Sequence, residues 1–484
     1  MNITIRTGYK TEKGTSLILI AGKKTKWDNT LFSNDELAFL KKAVDKGDKT
    51  IVINQYSRHI AVVIIDEKKA PNQLLEACRK GGGQMAGFTA KHKLTKVQVS
   101  GDVNEAALKA FAVGLILGSY KFTKYLSKQE ETKNSLKEIV LITDKLQKAD
   151  LDEMKNVTTA VFKARDLINE PVNHLNAVSL AKEMAAMCKK AGIFVQVLGK
   201  KQIEALRMGG LLSVNQGSVD PPTFTIMEWK PKKAVNKKPL VLVGKGVVYD
   251  TGGLSLKPTQ DSMDYMKSDM SGAAAVSCAL YAIAKNNLQV HVVALVPATD
   301  NRPGFNAYAP GDIIKMFDGS TVEMVNSDAE GRMILADAIS YAKKYSPELL
   351  INVATLTGSA SVAVGPHAMV AMGTAPEKTM QQLKESGDYV FERIVEFPLW
   401  EEYEEMLKSD IADRKNVGGR SAGAIIGGKF LEHFAPCPFI HLDIAGVAFN
   451  KSADNYKPKG GVGVGVRLLY EFTRKMQDKG KKSR

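Results

Sequence analysis

Short apolar runs of strand length recur along the chain, bounded by glycine, proline and charged residues, and longer stretches with helical spacing separate them. Before residue 150 the segments Ser16–Ile20, Thr50–Asn54, Ile60–Ile65 and Ile139–Thr143 read as strands, and Asn104–Tyr125 reads as a helix. Asp150–Asn169 is a second helical pattern, which Glu170-Pro171 brings to an end because the residue before a proline avoids the helical region. Beyond it, strands at Leu240–Val243, Val290–Val296, Leu349–Ala354 and Phe439–Ile444 alternate with helices at Gly272–Ala284, Gly331–Tyr345 and Ala422–Phe434. Such alternation predicts an α/β fold of two domains, 1–150 and a larger 151–484, each a mainly parallel sheet flanked by helices. A length of 484 residues, too long for one ordinary core, agrees with that division.

Composition narrows the class without naming a function. The chain is 44% hydrophobic and 25% charged, as soluble globular proteins are. No run approaches the length needed to cross a membrane, and Leu17–Ala21 is strand-sized and closed by Lys23, so a cytoplasmic protein is expected. Four cysteines, Cys78, Cys188, Cys278 and Cys437, have no CxxC spacing, which argues against a disulfide framework and a cysteine zinc site. Seven histidines occur without HExxH or HxH, so any bound metal would rest on carboxylates. The formal charge of +15 is spread along the chain, with a basic loop at Lys230–Lys238 and a short tail at Lys479–Arg484. It reads as solubility. Nucleic acid remains a conceivable partner by charge alone, but no helix-turn-helix or aromatic-basic platform supports it.

Two clusters carry candidate chemistry. Asn326-Ser327-Asp328-Ala329-Glu330-Gly331-Arg332 puts two carboxylates and an arginine just ahead of an apolar helical run. Taken alone this is ordinary helix-start chemistry, with a capping side chain and an acid in the first turn. Upstream, however, Val243–Pro258 and Met263–Ala275 hold Asp250, Asp264 and Asp269 together with Lys245, Lys257 and Lys267, at the ends of predicted strands and the starts of predicted helices. That is where an open α/β sheet forms a ligand crevice. Gly244-Lys245-Gly246 is not a phosphate loop, because the spaced glycine and the following hydroxyl residue are missing.

Gly244–Pro258 and Asn326–Arg332 resemble the motifs GKG(x)3DSGGxSxKP and N(T/S)DAEGR of the leucyl aminopeptidase family, the dinuclear-metal cytosol aminopeptidases. The second motif matches completely and the first has Thr251 in place of serine. Arg165–Pro171, Ala354–Gly358 and His441–Gly446 extend the resemblance over most of the second half, whereas residues 1–150 resemble the family's variable N-terminal domain in pattern only.

The resemblance implies a metal-dependent exopeptidase in which 151–484 is catalytic and 1–150 shapes the oligomer or its cavity. Two divalent ions, Zn or Mn with Mg or Co also suited, would be held by Lys245, Asp250, Asp269, Asp328 and Glu330, with Asp250 and Glu330 bridging. Lys257 would stabilise the oxyanion, and Arg332 would hold a bicarbonate acting as general base. Met266, Thr355, Leu356, Gly358 and Ala445 would line a pocket for a Leu-type first residue of peptides with a free N-terminus. Family members are hexamers, so a homohexamer is implied, and some add a DNA-binding role. One residue more than the commonest spacing separates Lys257 from Asp269, at Thr259–Ser262, so the segment bearing Met266 is expected to shift. Asp264, Asp337 and Asp443 read as caps or structural acceptors, and His441 as a satisfied core imidazole. A different two-metal hydrolase, such as a phosphoesterase, would also want clustered carboxylates but would leave Lys245, Lys257 and Arg332 unexplained.

Overall fold

The structure, a computed structural model, describes residues 3–129 and 134–482. The chain divides into two compact units, Met1–Phe162 with Ser452–Lys459, and Lys163–Lys451 with Gly460–Arg484. The division lies inside the helix Lys148–Asn169, not at the position 150 expected from the pattern. The helix is continuous across it: near its start Lys109 Nζ meets Asp150 Oδ1 at 2.5 Å within the first unit, and near its end Arg165 Nε donates to Val462 O at 3.0 Å within the second.

In the first unit β1 (Thr4–Gly8), β2 (Leu17–Ala21), β3 (Thr50–Asn54), β4 (His59–Ile64), β5 (Lys96–Gly101) and β6 (Glu138–Ile142) form a sheet in the order β1-β6-β5-β2-β4-β3. All its pairings are parallel except the edge pair β3 with β4. The helices α1 (Pro71–Lys91) and α2 (Glu105–Gly118) belong to the same unit. Asn104 caps α2 by accepting from Ala107 N at 2.9 Å. This helix stops at Gly118, short of the expected Tyr125, where Ser119 Oγ turns back to donate to Ile116 O at 2.6 Å.

The second unit is built on β7 (Phe194–Leu198), β8 (Thr223–Trp229), β9 (Leu240–Gly244), β10 (Gly246–Asp250), β11 (Val292–Asn301), β12 (Leu349–Ala354), β13 (Met369–Gly373), β14 (Ile394–Glu396) and β15 (Phe439–Asp443). Their order is β14-β13-β15-β12-β9-β11-β8-β7, with β10 also on β11. The central strands β15, β12, β9 and β11 are parallel, and every residue in them is buried. Two covered faces explain why these strands are continuous apolar runs instead of alternating ones. The antiparallel pairs lie toward the edges: β13 with β15, β8 with β11, and β7 with β8. Helices α3 (Ser271–Lys285), α4 (Glu330–Tyr341) and α5 (Gly423–Glu432) belong to this unit, and the carboxyl ends of β9, β10, β11, β12 and β15 carry the groups described next.

Candidate metal centre

Lys245 occupies the break between β9 and β10. Its backbone is fixed on both sides, with N donating to Val353 O at 3.1 Å and O accepting from Ala273 N at 2.9 Å. The side chain is buried, and Nζ lies 2.8 Å from Asp269 Oδ1 and 2.8 Å from Glu330 Oε1 while donating to Thr355 O at 2.9 Å. It reaches Glu330 by passing over Gly331, where a Cβ would stand 2.5 Å from Lys245 Cε and 2.7 Å from Nζ. The glycine of the second motif is thus a clearance, and α4 begins beneath the lysine tail.

Asp250 ends β10 and lies in register with Asn301, the end of β11. Its Oδ1 accepts from Gly252 N at 2.8 Å and from Asn301 Nδ2 at 2.8 Å, and its Oδ2 is 2.9 Å from Lys257 Nζ. The chain returns to bring Lys257 there through Gly252 at φ +87°, a left-handed conformation that only glycine adopts freely, and Lys257 N closes on Thr251 O at 2.9 Å. Lys257 Nζ also pairs with Asp328 Oδ1. Asp328 sits in the turn before α4, where Asn326 Oδ1 accepts from Asp328 N at 2.8 Å and Ser327 Oγ donates to Gly252 O at 2.7 Å. The capping chemistry and the cluster chemistry of the second motif therefore coexist.

Four carboxylates meet two ammonium groups here. Burial works against the charge on Lys245, but Asp269, Glu330 and Asp250 outweigh it and hold the ammonium above its ordinary range; for Lys257 the carboxylates of Asp250, Glu330 and Asp328 do the same. The surplus negative charge falls on the acids. Burial first, then Glu330 and Asp250, push Asp328 up to about 7, and burial with the same two neighbours lifts Asp269 well above the carboxylate range. One oxygen each from Asp250, Asp328 and Glu330 lies within 4.8 Å of the others, and Glu330 Oε2 is buried with no hydrogen-bond partner among the described residues. Hard carboxylate oxygens suit divalent cations, and Lys245 would join them as an amine on giving up its proton, so the residues fit the ions that the resemblance implied.

Beside the cluster, Arg332 Nη1 donates to Asn416 O at 2.6 Å, its guanidinium lies 5.9 Å from the centre of the Phe430 ring, and Nε is buried without a hydrogen-bond partner among the described residues. Burial draws Arg332 down to about 10 against the opposing pull of Glu330 and Asp443, which leaves it charged at neutral pH.

Of the residues expected to line a pocket, Leu356 and Ala445 are held by Asp443, which accepts from Leu356 N at 3.1 Å, Thr357 Oγ1 at 2.7 Å and Ala445 N at 3.1 Å. Thr357 in turn caps the helix Gly358–Val364. Thr355 turns its hydroxyl to Asp269 Oδ1 at 2.7 Å, so it supports a carboxylate. Met266 lies in the short helix Met263–Ser268, and Asp261, within the stretch that carries the extra residue, takes φ +59°. Asp337 is a structural acceptor as expected, receiving Leu211 N and Phe317 N at 2.9 Å each. His441 departs from the expectation of a satisfied imidazole: Nδ1 meets Asn352 Nδ2 at 2.7 Å, but Nε2 has no hydrogen-bond partner among the described residues, and burial with Arg332 nearby pulls the ring down to about 3.

Sequence reading did not single out Asn301 or Asn416. Asn416 accepts from Val325 N at 2.8 Å and donates to Asn326 O at 2.8 Å, clamping the turn from the far side. Neither amide is charged or within a motif, and only strand register and chain return bring them to the site.

Fold and site together define an α/β protein with a buried carboxylate and lysine centre at the carboxyl ends of parallel strands. The chain belongs to the cytosol aminopeptidase family: the family model described as "Cytosol aminopeptidase family, catalytic domain" matches residues 162–470. Probable cytosol aminopeptidases of Chlorobium limicola and Chlorobaculum tepidum are 44% identical over 380 residues and 46% over 373. These matches cover 76% and 74% of this chain, and 75% and 73% of those proteins. Among solved structures, the bottromycin maturation enzyme BotP in complex with Mn has a TM-score of 0.86 at 26% identity, covering 96% of this chain and 100% of that one. A point mutant of tomato leucine aminopeptidase has a TM-score of 0.86 at 27% identity, covering 98% and 97%. The chain is accordingly a peptidase, a hydrolase of peptide bonds. No helix among the described residues is long and apolar enough to cross a membrane.

Proposed function

We propose that this protein is a cytoplasmic metal-dependent aminopeptidase that releases the N-terminal residue, Leu-type first, from peptides with a free amine. The observation that carries the reading is the set of buried Asp250, Asp269 and Glu330 with half-buried Asp328 around two lysine ammonium groups in a chain of this family. Lys245, Asp250, Asp269, Asp328 and Glu330 would hold two divalent ions, Zn or Mn before Mg or Co, which when bound supply an acidified water and a polarised carbonyl.

The remaining work falls to the chain's own groups. Lys257 keeps its proton because Asp250 and Asp328 surround it, and it donates a hydrogen bond to the carbonyl oxygen as that oxygen gains charge. Arg332, tethered at Nη1, retains an unpartnered Nε with which to hold a bicarbonate as general base. Met266, Thr355, Leu356, Gly358 and Ala445 would frame the first side chain, with Leu356 and Ala445 anchored through Asp443.

The test is hydrolysis of leucine p-nitroanilide by chelator-stripped protein with and without Mn or Zn, beside the N-acetylated substrate and Glu330→Ala. Activity restored by metal and abolished by acetylation or by the substitution is expected. A folded, metal-loaded, inactive protein would overturn the reading.

A further inference from the structure

Asn301 is fully buried, and its amide is committed to two different loops. One N–H of Nδ2 goes to Asp250 Oδ1 at 2.8 Å, at the end of β10. The other goes to Ser327 O at 2.9 Å, in the turn that immediately precedes Asp328, and the same carbonyl accepts from Tyr308 Oη at 3.0 Å. Chemistry fixes the orientation of this amide. Turned over, its Oδ1 would face a carboxylate and a carbonyl, neither of which can donate. As placed, Oδ1 is buried without a hydrogen-bond partner among the described residues, beside Gly253, where a Cβ would stand 2.8 Å from it.

With Gly252 N as the second donor, Asp250 Oδ1 accepts two hydrogen bonds and its acceptor capacity is used. Oδ2, which faces Lys257 Nζ at 2.9 Å, is the oxygen left to offer. Glu330 differs, since its Oε1 meets an ammonium and its Oε2 has no hydrogen-bond partner.

We propose that Asn301 is a positioning residue of the aminopeptidase site: it occupies Asp250 Oδ1 so that Asp250 presents Oδ2 alone, and it holds the Asp328 turn at a fixed distance from β10. The inference rests on the reading of Asp250 and Asp328 as metal ligands. Groups behind a ligand that orient it in this way change metal affinity about 10–100-fold when removed.

The experiment is Mn2+ binding by the chelator-stripped full chain, without substrate, for the parent, Asn301→Asp, Asn301→Ser and Asp250→Asn. Asn352→Ala serves as comparator, because Asn352 is an equally buried amide on β12 whose Nδ2 meets His441 Nδ1. Asn301→Asp keeps the shape and loses both donors; Asn301→Ser keeps one donor and removes bulk, so it carries the test should the first variant not fold. The expected result is about 10-fold or greater weakening of at least one Mn2+ site in the Asn301 variants, with Asn352→Ala lowering the melting midpoint and leaving Mn2+ affinity within twofold of the parent. Parental affinity in both Asn301 variants, or an equal loss in Asn352→Ala, would overturn the positioning role. No uptake by the parent, or undiminished uptake by Asp250→Asn, would overturn the ligand reading itself and the role of Asn301 with it.

Discussion

Lys257 makes the residue scale concrete, because one ammonium answers two carboxylates, Asp250 and Asp328. Lys257→Met keeps the length and removes the charge, and kcat on leucine p-nitroanilide should fall about 10²–10³-fold, as when one oxyanion donor is lost. Asp443 works at one remove. Asp443→Ala strips acceptors from Leu356 N, Thr357 Oγ1 and Ala445 N, so KM should rise more than kcat falls, with a stability loss of about 1–3 kcal/mol by denaturant titration. Charged residues at this site were legible in the sequence because their motifs set the acids and lysines close along the chain at predicted strand ends. Asn301 and Asn416 were not legible, since a neutral amide carries no local signature and each reaches the site from a distant segment. His441 was read as an ordinary core residue, and nothing in its neighbours along the chain announces the partnerless Nε2.

Among elements, α4 joins the site to the core: Glu330 begins it, and Asp337 two turns on anchors it to Leu211 N and Phe317 N. Burial pushes the Asp337 carboxyl up to about 7 from 3.8, against the hydrogen bonds that it accepts. The unfolded chain releases this proton near its ordinary value and the folded chain near 7, so between those limits the folded state binds more protons and stability falls as pH rises. The contribution is on the order of a few kcal/mol, full below about pH 4 and lost by about pH 7. Asp337→Asn should therefore lack this slope, and its denaturation midpoint relative to the parent should improve from pH 5 to pH 8. Buried parallel strands were the most legible elements, and Leu349–Ala354 agrees residue for residue. β11 runs on to Asn301, well past the expected Val296, because Pro297 ends the apolar run in the sequence while the register with Phe224 on β8 continues through it. The strand that carries Asn301 to the site was hidden by that one proline.

At the scale of the whole molecule, the second unit leaves Val362, Trp400 and Ile411 at 88%, 62% and 66% exposure, and Phe305 fully exposed. For the homohexamer that the family resemblance implies, light scattering should return about six times the 52.7 kDa chain, and a monomer would contradict it. The formal charge of +15 was legible from composition, but it assigns no partner, and the two-unit division was legible only roughly because one unbroken helix, Lys148–Asn169, spans it. Lys245 and Lys257 have a final consequence for how the chain is held together at this end of the sheet. Each ammonium spans carboxylates from separate segments, Asp269 with Glu330 and Asp250 with Asp328, so the two lysines act as rivets that fasten the Asp250, Asp269 and Asp328–Glu330 stretches to one another.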